Sequence, residues 1–203
     1  MIAVVDYGVG NLFSLMSSLK FLGLESKVTG DKNEILSAER VILPGVGAFA
    51  DAMQKLCETG LDATVKEYAL TGAPLMGICL GMQVLFEHGL EYGKHEGLGL
   101  LKGVAASLAD DIADKKLKVP HMGWNKLEIV KPCPLLKYST ENDYVYYVHS
   151  YYIKDCEDVL VATSPYGINV TGAVANKNVM GTQFHPEKSG EAGLKILKAF
   201  SEI

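Results

Sequence analysis

Among 19 basic residues only one is an arginine, Arg40. Arginine is the usual planar fork for phosphate, so a heavily phosphorylated ligand is not expected to be held mainly by this chain, although its lysines remain able to serve. A net charge of −5 argues against nucleic acid as a partner. Cys57, Cys79, Cys133 and Cys156 form no Cys-x-x-Cys pair and have no accompanying His spacing, which argues against a zinc site. So few cysteines in a chain of this length suit reduced thiols in a cytoplasmic protein better than a disulfide framework. No apolar run reaches membrane-spanning length, and Met1-Ile-Ala-Val-Val-Asp6 turns acidic too early for a signal peptide. Gly8-Val-Gly10 opens like a dinucleotide loop, but the position of the third glycine is Phe13, so that fingerprint fails. No repeat, linker or low-complexity stretch divides the chain. One domain is expected over residues 1–203, large enough for a sizeable core.

What the chain does contain is Gly77-Ile-Cys79-Leu-Gly81 at the end of an apolar run. The frame Gly-x-nucleophile-x-Gly has the spacing of a nucleophile elbow. Leu75 to Ile78 reads as a buried strand and Leu80 to Phe86 as a helix, with Cys79 on the sharp turn between them. The flanking glycines let neighbouring backbone approach without a Cβ clash. A helix N-terminus beneath the sulfur favours the thiolate, and the N–H of Leu80 points toward an oxyanion formed there. A thiolate of this kind needs a base and a group to orient it. His185-Pro186-Glu187 supplies both, since two residues apart on an extended segment share a face and Pro186 biases His185 toward that form.

In the first half of the chain, strands near Ile2–Val5, Glu25–Val28, Val41–Leu43 and Leu75–Ile78 alternate with helices. The first helix is capped by Asn11, carries Leu12, Leu15, Met16, Leu19 and Leu22 on one face, and is ended by Gly23. Helices also fit Ala48–Cys57 and Leu61–Leu70, with Gly60 between them. Such alternation argues a parallel sheet covered on both faces. In the second half Val119–Val130, Tyr144–Ile153, Val159–Ser164 and Val170–Phe184 are rich in β-branched and aromatic residues and read as mostly antiparallel strands. Asp110–Lys118 reads as a solvated turn, and Glu191–Ile203 as a closing helix. The fold expected is a single flavodoxin-like α/β domain, with a central mixed, largely parallel sheet flanked by helices.

Gly77-Ile-Cys79-Leu-Gly81-Met-Gln83 with the late His185-Pro-Glu187 resembles the class I glutamine amidotransferases. Asp6-Tyr-Gly-Val-Gly-Asn11, Pro44-Gly-Val-Gly47, Pro120-His-Met-Gly-Trp-Asn125, His149-Ser-Tyr151 and Phe184-His-Pro-Glu-Lys-Ser189 narrow the likeness to the glutaminase subunits of imidazole glycerol phosphate synthase. The resemblance implies glutamine hydrolysis by Cys79, His185 and Glu187, with no metal or organic cofactor. It implies an oxyanion role for Leu80 and for the loop Gly45, Val46 and Gly47, and a glutamine pocket from Gln83, Glu91, Ser150 and Tyr151. It also implies a partner, a (β/α)8 barrel cyclase subunit forming a heterodimer, with Asn11, Trp124, Asn125, Tyr146 and Lys188 near the seam. From the residues alone, Pro44–Gly47 can also be an ordinary turn, while Glu91 reads as a solvated charge and Trp124, the single tryptophan, as a core residue. Two rival readings stand beside this one: a paralogue that feeds ammonia to a nucleotide-sugar or surface-polysaccharide amidation enzyme, and a non-catalytic protein that keeps the fold.

Overall fold

The strand β1 (Ile2–Val5) is apolar and buried at every position, as expected of an inner strand covered on both faces. A computed structural model describes residues 1–114 and 116–203. From β1 the chain continues through α1 (Leu12–Phe21), β2 (Ser26–Thr29), α2 (Lys32–Ser37) and β3 (Arg40–Leu43). Next come α3 (Phe49–Thr59) and α4 (Leu61–Leu70), which meet at Gly60, whose φ of 70° ends one helix and opens the other. β4 (Leu75–Ile78) and the short α5 (Leu80–Gln83) complete the first half. The second half holds β5 (Phe86–Gly89), β6 (His95–Glu96), β7 (Leu101–Ser107), α6 (Leu108–Asp111), β8 (His121–Lys126) and β9 (Glu128–Ile129). It ends with β10 (Tyr144–His149), β11 (Tyr151–Lys154), β12 (Leu160–Pro165), β13 (Asn169–Asn176), β14 (Val179–Thr182) and α7 (Gly190–Ser201).

Eight strands form the main sheet in the order β2-β1-β3-β4-β14-β13-β12-β9. Pairing is parallel from β2 through β14 and antiparallel beyond. The result is a single α/β domain on a mixed sheet, as the alternation of elements predicts. Ala3 and Val5 pack with α3 and α4, while Ile2 and Val4 pack with α1 and α7, so each face of the sheet has its own core. A second sheet has the order β11-β7-β5-β6, and β8 and β10 form a separate two-stranded ribbon.

Several expectations change. The helix expected to reach Phe86 stops at Gln83, because the carbonyls of Val84, Leu85 and Phe86 accept from Leu98, Leu100, Leu101 and Gly99 rather than from the next helical turn. The strand expected from Tyr144 to Ile153 breaks at Ser150. Val145, Tyr147 and His149 are buried at alternate positions, but Tyr152 and Ile153 are both buried, so one strand cannot keep the period. β14 pairs antiparallel with β13, as expected, and its other edge runs parallel to β4, which composition does not indicate. Asn11 occupies the N-cap position of α1 without a side-chain cap bond. α2 was not expected, although its signature is present: Asp31 accepts from the N–H groups of Asn33 and Glu34. The turn expected at Asp110–Lys118 begins as the end of α6, and Lys115 lies outside the described residues. Among the described residues no helix is long and apolar enough to cross a membrane.

Candidate active site

Cys79 joins β4 to α5 with φ 54° and ψ −112°, a left-handed conformation that costs a residue with a Cβ. Its N–H donates to Thr182 O at 2.7 Å, and its carbonyl accepts from Met82 N at 3.0 Å and Gln83 N at 3.1 Å. The glycines of the frame are there for space. A Cβ on Gly81 would lie 1.9 Å from Leu43 O, one on Gly77 2.6 Å from Gly81 O, and one on Gly45 2.5 Å from Gly81 N. The end of β3, the elbow and the loop behind it therefore meet backbone to backbone. Among the described residues no backbone carbonyl accepts from the N–H of Leu80.

Because β14 runs parallel beside β4, Thr182 lies next to Ile78, and the chain leaving β14 brings His185 to the sheet edge where Cys79 sits. His185 is extended, as the proline after it requires. Pro186–Lys188 then makes one 3₁₀ turn. That turn, rather than the shared face of an extended segment, returns Glu187 Oε1 to within 2.8 Å of His185 Nδ1. Both side chains are almost wholly buried, at 2% and 3% exposure. With Nδ1 engaged, Nε2 is the nitrogen left for Cys79. It meets no hydrogen-bond geometry, a common condition before substrate binds. Burial pushes His185 down, but the negative charge of Cys79 and the hydrogen bond and charge of Glu187 outweigh it and hold the imidazole well above its ordinary value.

Cys79 and His185 line one cavity of about 340 Å³, within the range of small-molecule sites. Val46, Gly47, Leu80, Gln83, Glu91, Ser150, Tyr151 and Lys188 share its wall, while Gly45 is packed behind it against Gly81. Gln83 Nε2 donates to Tyr151 O at 2.8 Å and to Gln183 Oε1 at 3.0 Å, so its Oε1 is what it can offer a ligand. Glu91 Oε2 accepts from the N–H of Phe49 at 2.9 Å, which ties its loop to the start of α3. The Pro44–Gly47 loop has a fixed half and a free half. Tyr7 donates to Pro44 O at 2.8 Å, whereas a Cβ on Gly47, with φ 99°, would meet nothing. Gln183, Tyr7 and His121 were not anticipated from the sequence.

Of the residues expected at a partner seam, Trp124 and Tyr146 are register partners on the ribbon, with rings edge to face at 6.0 Å. Trp124 is 56% exposed. Lys188 Nζ lies 5.9 Å from the centre of the Tyr146 ring. Asn125, on the opposite face, donates to Pro165 O at 2.9 Å and lies 3.3 Å from His121 Nε2. His121 Nδ1 lies 3.0 Å from His149 Nε2, and His149 Nδ1 lies 2.9 Å from Tyr151 O. A carbonyl only accepts, so His149 carries its hydrogen on Nδ1. His121 must then donate from Nδ1 and accept at Nε2.

Burial holds His121 down at about 4, and burial first, with help from His121 and His185, holds His149 at about 3. In the unfolded chain both return to the ordinary value of 6.5. Their contribution to stability is therefore present above pH 6.5 and lost as pH falls through 4. His185 acts with the opposite sign, its contribution being complete below pH 6.5. We expect His121→Gln to reduce the loss of stability between pH 6.5 and 4 by about 3 kcal/mol, read from urea unfolding at several pH values. An unchanged slope would mean that His121 is not the neutral, buried group the structure gives.

The family described as glutamine amidotransferase class-I matches residues 3–202. The imidazole glycerol phosphate synthase subunit HisH of Listeria monocytogenes serotype 4b (strain CLIP80459) is 49% identical over 203 residues, covering 100% of this chain and 96% of the relative. The subunit of the same name from Caldanaerobacter subterraneus subsp. tengcongensis is 49% identical over 204 residues, covering 100% and 98%. Among solved structures, PurLQS from Thermotoga maritima superposes with a TM-score of 0.75 at 22% identity, over 99% of this chain and 97% of that one. The acivicin-bound glutaminase domain of Trypanosoma brucei CTPS gives 0.66 at 18% identity, over 99% and 93%. These two speak for the fold alone. With the match running almost from end to end and relatives nearly half identical along their whole length, this chain belongs to the class I glutamine amidotransferases.

Proposed function

We propose that the chain is the glutaminase subunit of an imidazole glycerol phosphate synthase in histidine biosynthesis, working in the cytoplasm beside a (β/α)8 barrel cyclase. The chemistry rests on one observation: Cys79, on a strained elbow, shares a cavity with a buried His185 whose Nδ1 is held by Glu187. The choice of acceptor rests on the full-length identity to HisH subunits.

Cys79 Sγ attacks the side-chain amide carbon of glutamine. His185, which has already taken the thiol proton at Nε2, gives it to the departing ammonia, and Glu187 holds the imidazolium until then. Leu80 N–H and an N–H of the Val46–Gly47 half-loop receive the oxyanion. Water, with His185 as base, then cleaves the γ-glutamyl thioester to glutamate and regenerates the thiol. Gln83 Oε1 and Glu91 face the ammonium of the free amino acid. Ammonia released into water protonates and stops being a nucleophile, so the site is useful only where it opens toward a synthase. The cyclase joins the ammonia to a phosphoribulosyl-aminoimidazole intermediate, giving imidazole glycerol phosphate and an aminoimidazole carboxamide ribotide. Its barrel carries the phosphates, in keeping with the single arginine here.

Trp124, with Tyr146 behind it, is the anchor we assign to the cyclase. Trp124→Ala should weaken association by more than roughly 2 kcal/mol in a calorimetric titration while the melting temperature of the free chain stays put. Normal binding with early melting would return Trp124 to the core.

The proposal as a whole is tested by glutamine turnover in the free chain, in the cyclase complex, and in the complex with the phosphoribulosyl ligand bound. The free half of the Pro44–Gly47 loop allows a resting peptide to aim its carbonyl at the oxyanion position, and losing one such donor costs ~10²–10³-fold. We therefore expect a rise of that size on loading the cyclase. Equal turnover in all three states would remove the switch. Stimulation by a nucleotide-sugar amidation enzyme and none by a cyclase would keep the chemistry and reassign the acceptor.

A further inference from the structure

The orientation of two buried amides follows from a single backbone carbonyl. Tyr151 O can only accept, so the Gln83 atom 2.8 Å from it is a nitrogen. The same Nε2 lies 3.0 Å from Gln183, which must therefore present an oxygen to it. The other end of the Gln183 amide is then Nε2, and it lies 3.7 Å from Cys79 Sγ. Gln183 is fully buried at 0% exposure, immediately after β14, and its main-chain N–H donates to Gly172 O at 2.8 Å. Neither of its amide ends is free to turn, because reversing it would set an N–H against the N–H of Gln83.

We propose that Gln183 is a catalytic residue whose Nε2–H donates a hydrogen bond to the Cys79 sulfur and holds negative charge there. The inference rests on the reading of Cys79 as nucleophile. The other side chains around the sulfur leave this role to Gln183. Tyr7 feels the charge of Cys79, which with burial raises its hydroxyl, but its hydroxyl hydrogen is given to Pro44 O. His185 faces the sulfur as the proton carrier, and its hydrogen leaves during the reaction. Lys188 and Glu91 stand on the open wall of the same cavity. An amide does not titrate, so its donor stays in place through every step. It acts when the sulfur is negative, before attack and again as water expels it from the thioester. In deacylation the C–S bond breaks, its electron pair returns to sulfur, and the donor is already aimed at that pair. Gln183 is absent from the cavity lining, so it reaches the sulfur without touching the glutamine head group.

The test uses the full chain and iodoacetamide, with modification at Cys79 read by peptide mass across a pH series. A hydrogen bond to a charged group is worth roughly 1.5–3 kcal/mol, which corresponds to about one to two pH units. Gln183→Met, of similar length but without a donor, should move the alkylation curve about one unit toward higher pH. In the cyclase complex it should lower kcat about tenfold with KM unchanged. A folded Gln183→Met variant with the wild-type curve overturns the proposal. Should that variant fail to fold, the unaltered protein decides: the side-chain amide resonance of Gln183 should shift when Cys79 is alkylated, and a resonance that stays put overturns it. If Cys79 behaves as expected in these measurements but no form of the complex hydrolyses glutamine, the proposed function fails while the role of Gln183 toward the sulfur stands.

Discussion

Cys79→Ala is expected to end glutamine hydrolysis by the complex and to leave the fold standing. Loss of the nucleophile of an acyl-transfer triad costs on the order of 10⁶-fold in kcat. The fold should survive because alanine has the same Cβ as cysteine and adds no strain at φ 54°, while the bond from the N–H of residue 79 to Thr182 O is a main-chain one. The complementary result is selective labelling. A glutamine-like electrophile should modify Cys79 and none of the other three cysteines. Burial raises the thiols of Cys133 and Cys156 above their ordinary value, and the exposed Cys57 is raised too, by partial loss of solvent and by Asp62, so each presents less thiolate. Appreciable hydrolysis by the alanine variant would remove Cys79 from the mechanism.

The second large effect is expected at His185. His185→Ala should slow turnover by ~10²–10⁴-fold, the usual contribution of a positioned acid–base group. Glu187→Gln should cost less, because a glutamine can still offer an oxygen to His185 Nδ1 at the position of Oε1, where the present contact is 2.8 Å. What it removes is the negative charge that helps hold His185 up. The two variants thus separate moving a proton from holding its carrier. A His185→Ala enzyme near the wild-type rate would require another base, and so would a Glu187→Gln enzyme slower than His185→Ala.

The parts of the site that could be read in the sequence are those set by local constraints. Gly77 and Gly81 mark the elbow because no side chain fits there, and Leu75–Ile78 is bounded correctly because an apolar run ends in that turn. α4 begins and ends where Gly60 and the apolar spacing place it. Non-local features were not legible. That β14 lies parallel beside β4 depends on sheet order, which strand composition does not carry. The aromatic stretch from Tyr144 looks like one strand, since nothing local marks Ser150 as the point where the chain leaves one sheet for another. The small sheet of β11, β7, β5 and β6 leaves little local signal, because β6 is two residues long and the segment between β5 and β7 is rich in glycine. Gln183 has no pattern at all in sequence: its neighbours Gln83 and Cys79 come from a distant turn of chain.

The ribbon of β8 and β10 is narrow, and two-stranded ribbons twist more readily than wide sheets. Its hydrogen bonds tie it to β12 and to the segment that follows β14. Ser164 on β12 donates to Lys126 O at 2.6 Å and meets the Tyr147 hydroxyl at 2.8 Å. Tyr146 O accepts from His185 N at 3.0 Å, and Tyr146 N donates to Ser189 Oγ at 2.9 Å, which donates in turn to His185 O at 2.6 Å. Both main-chain polar groups of His185 are thus attached to one residue of the ribbon, directly or through a single hydroxyl. In mechanical terms the ribbon and the segment of His185 are one linked piece: a load on the exposed ring of Trp124 would bear on the backbone that aims the imidazole through the main chain of Tyr146.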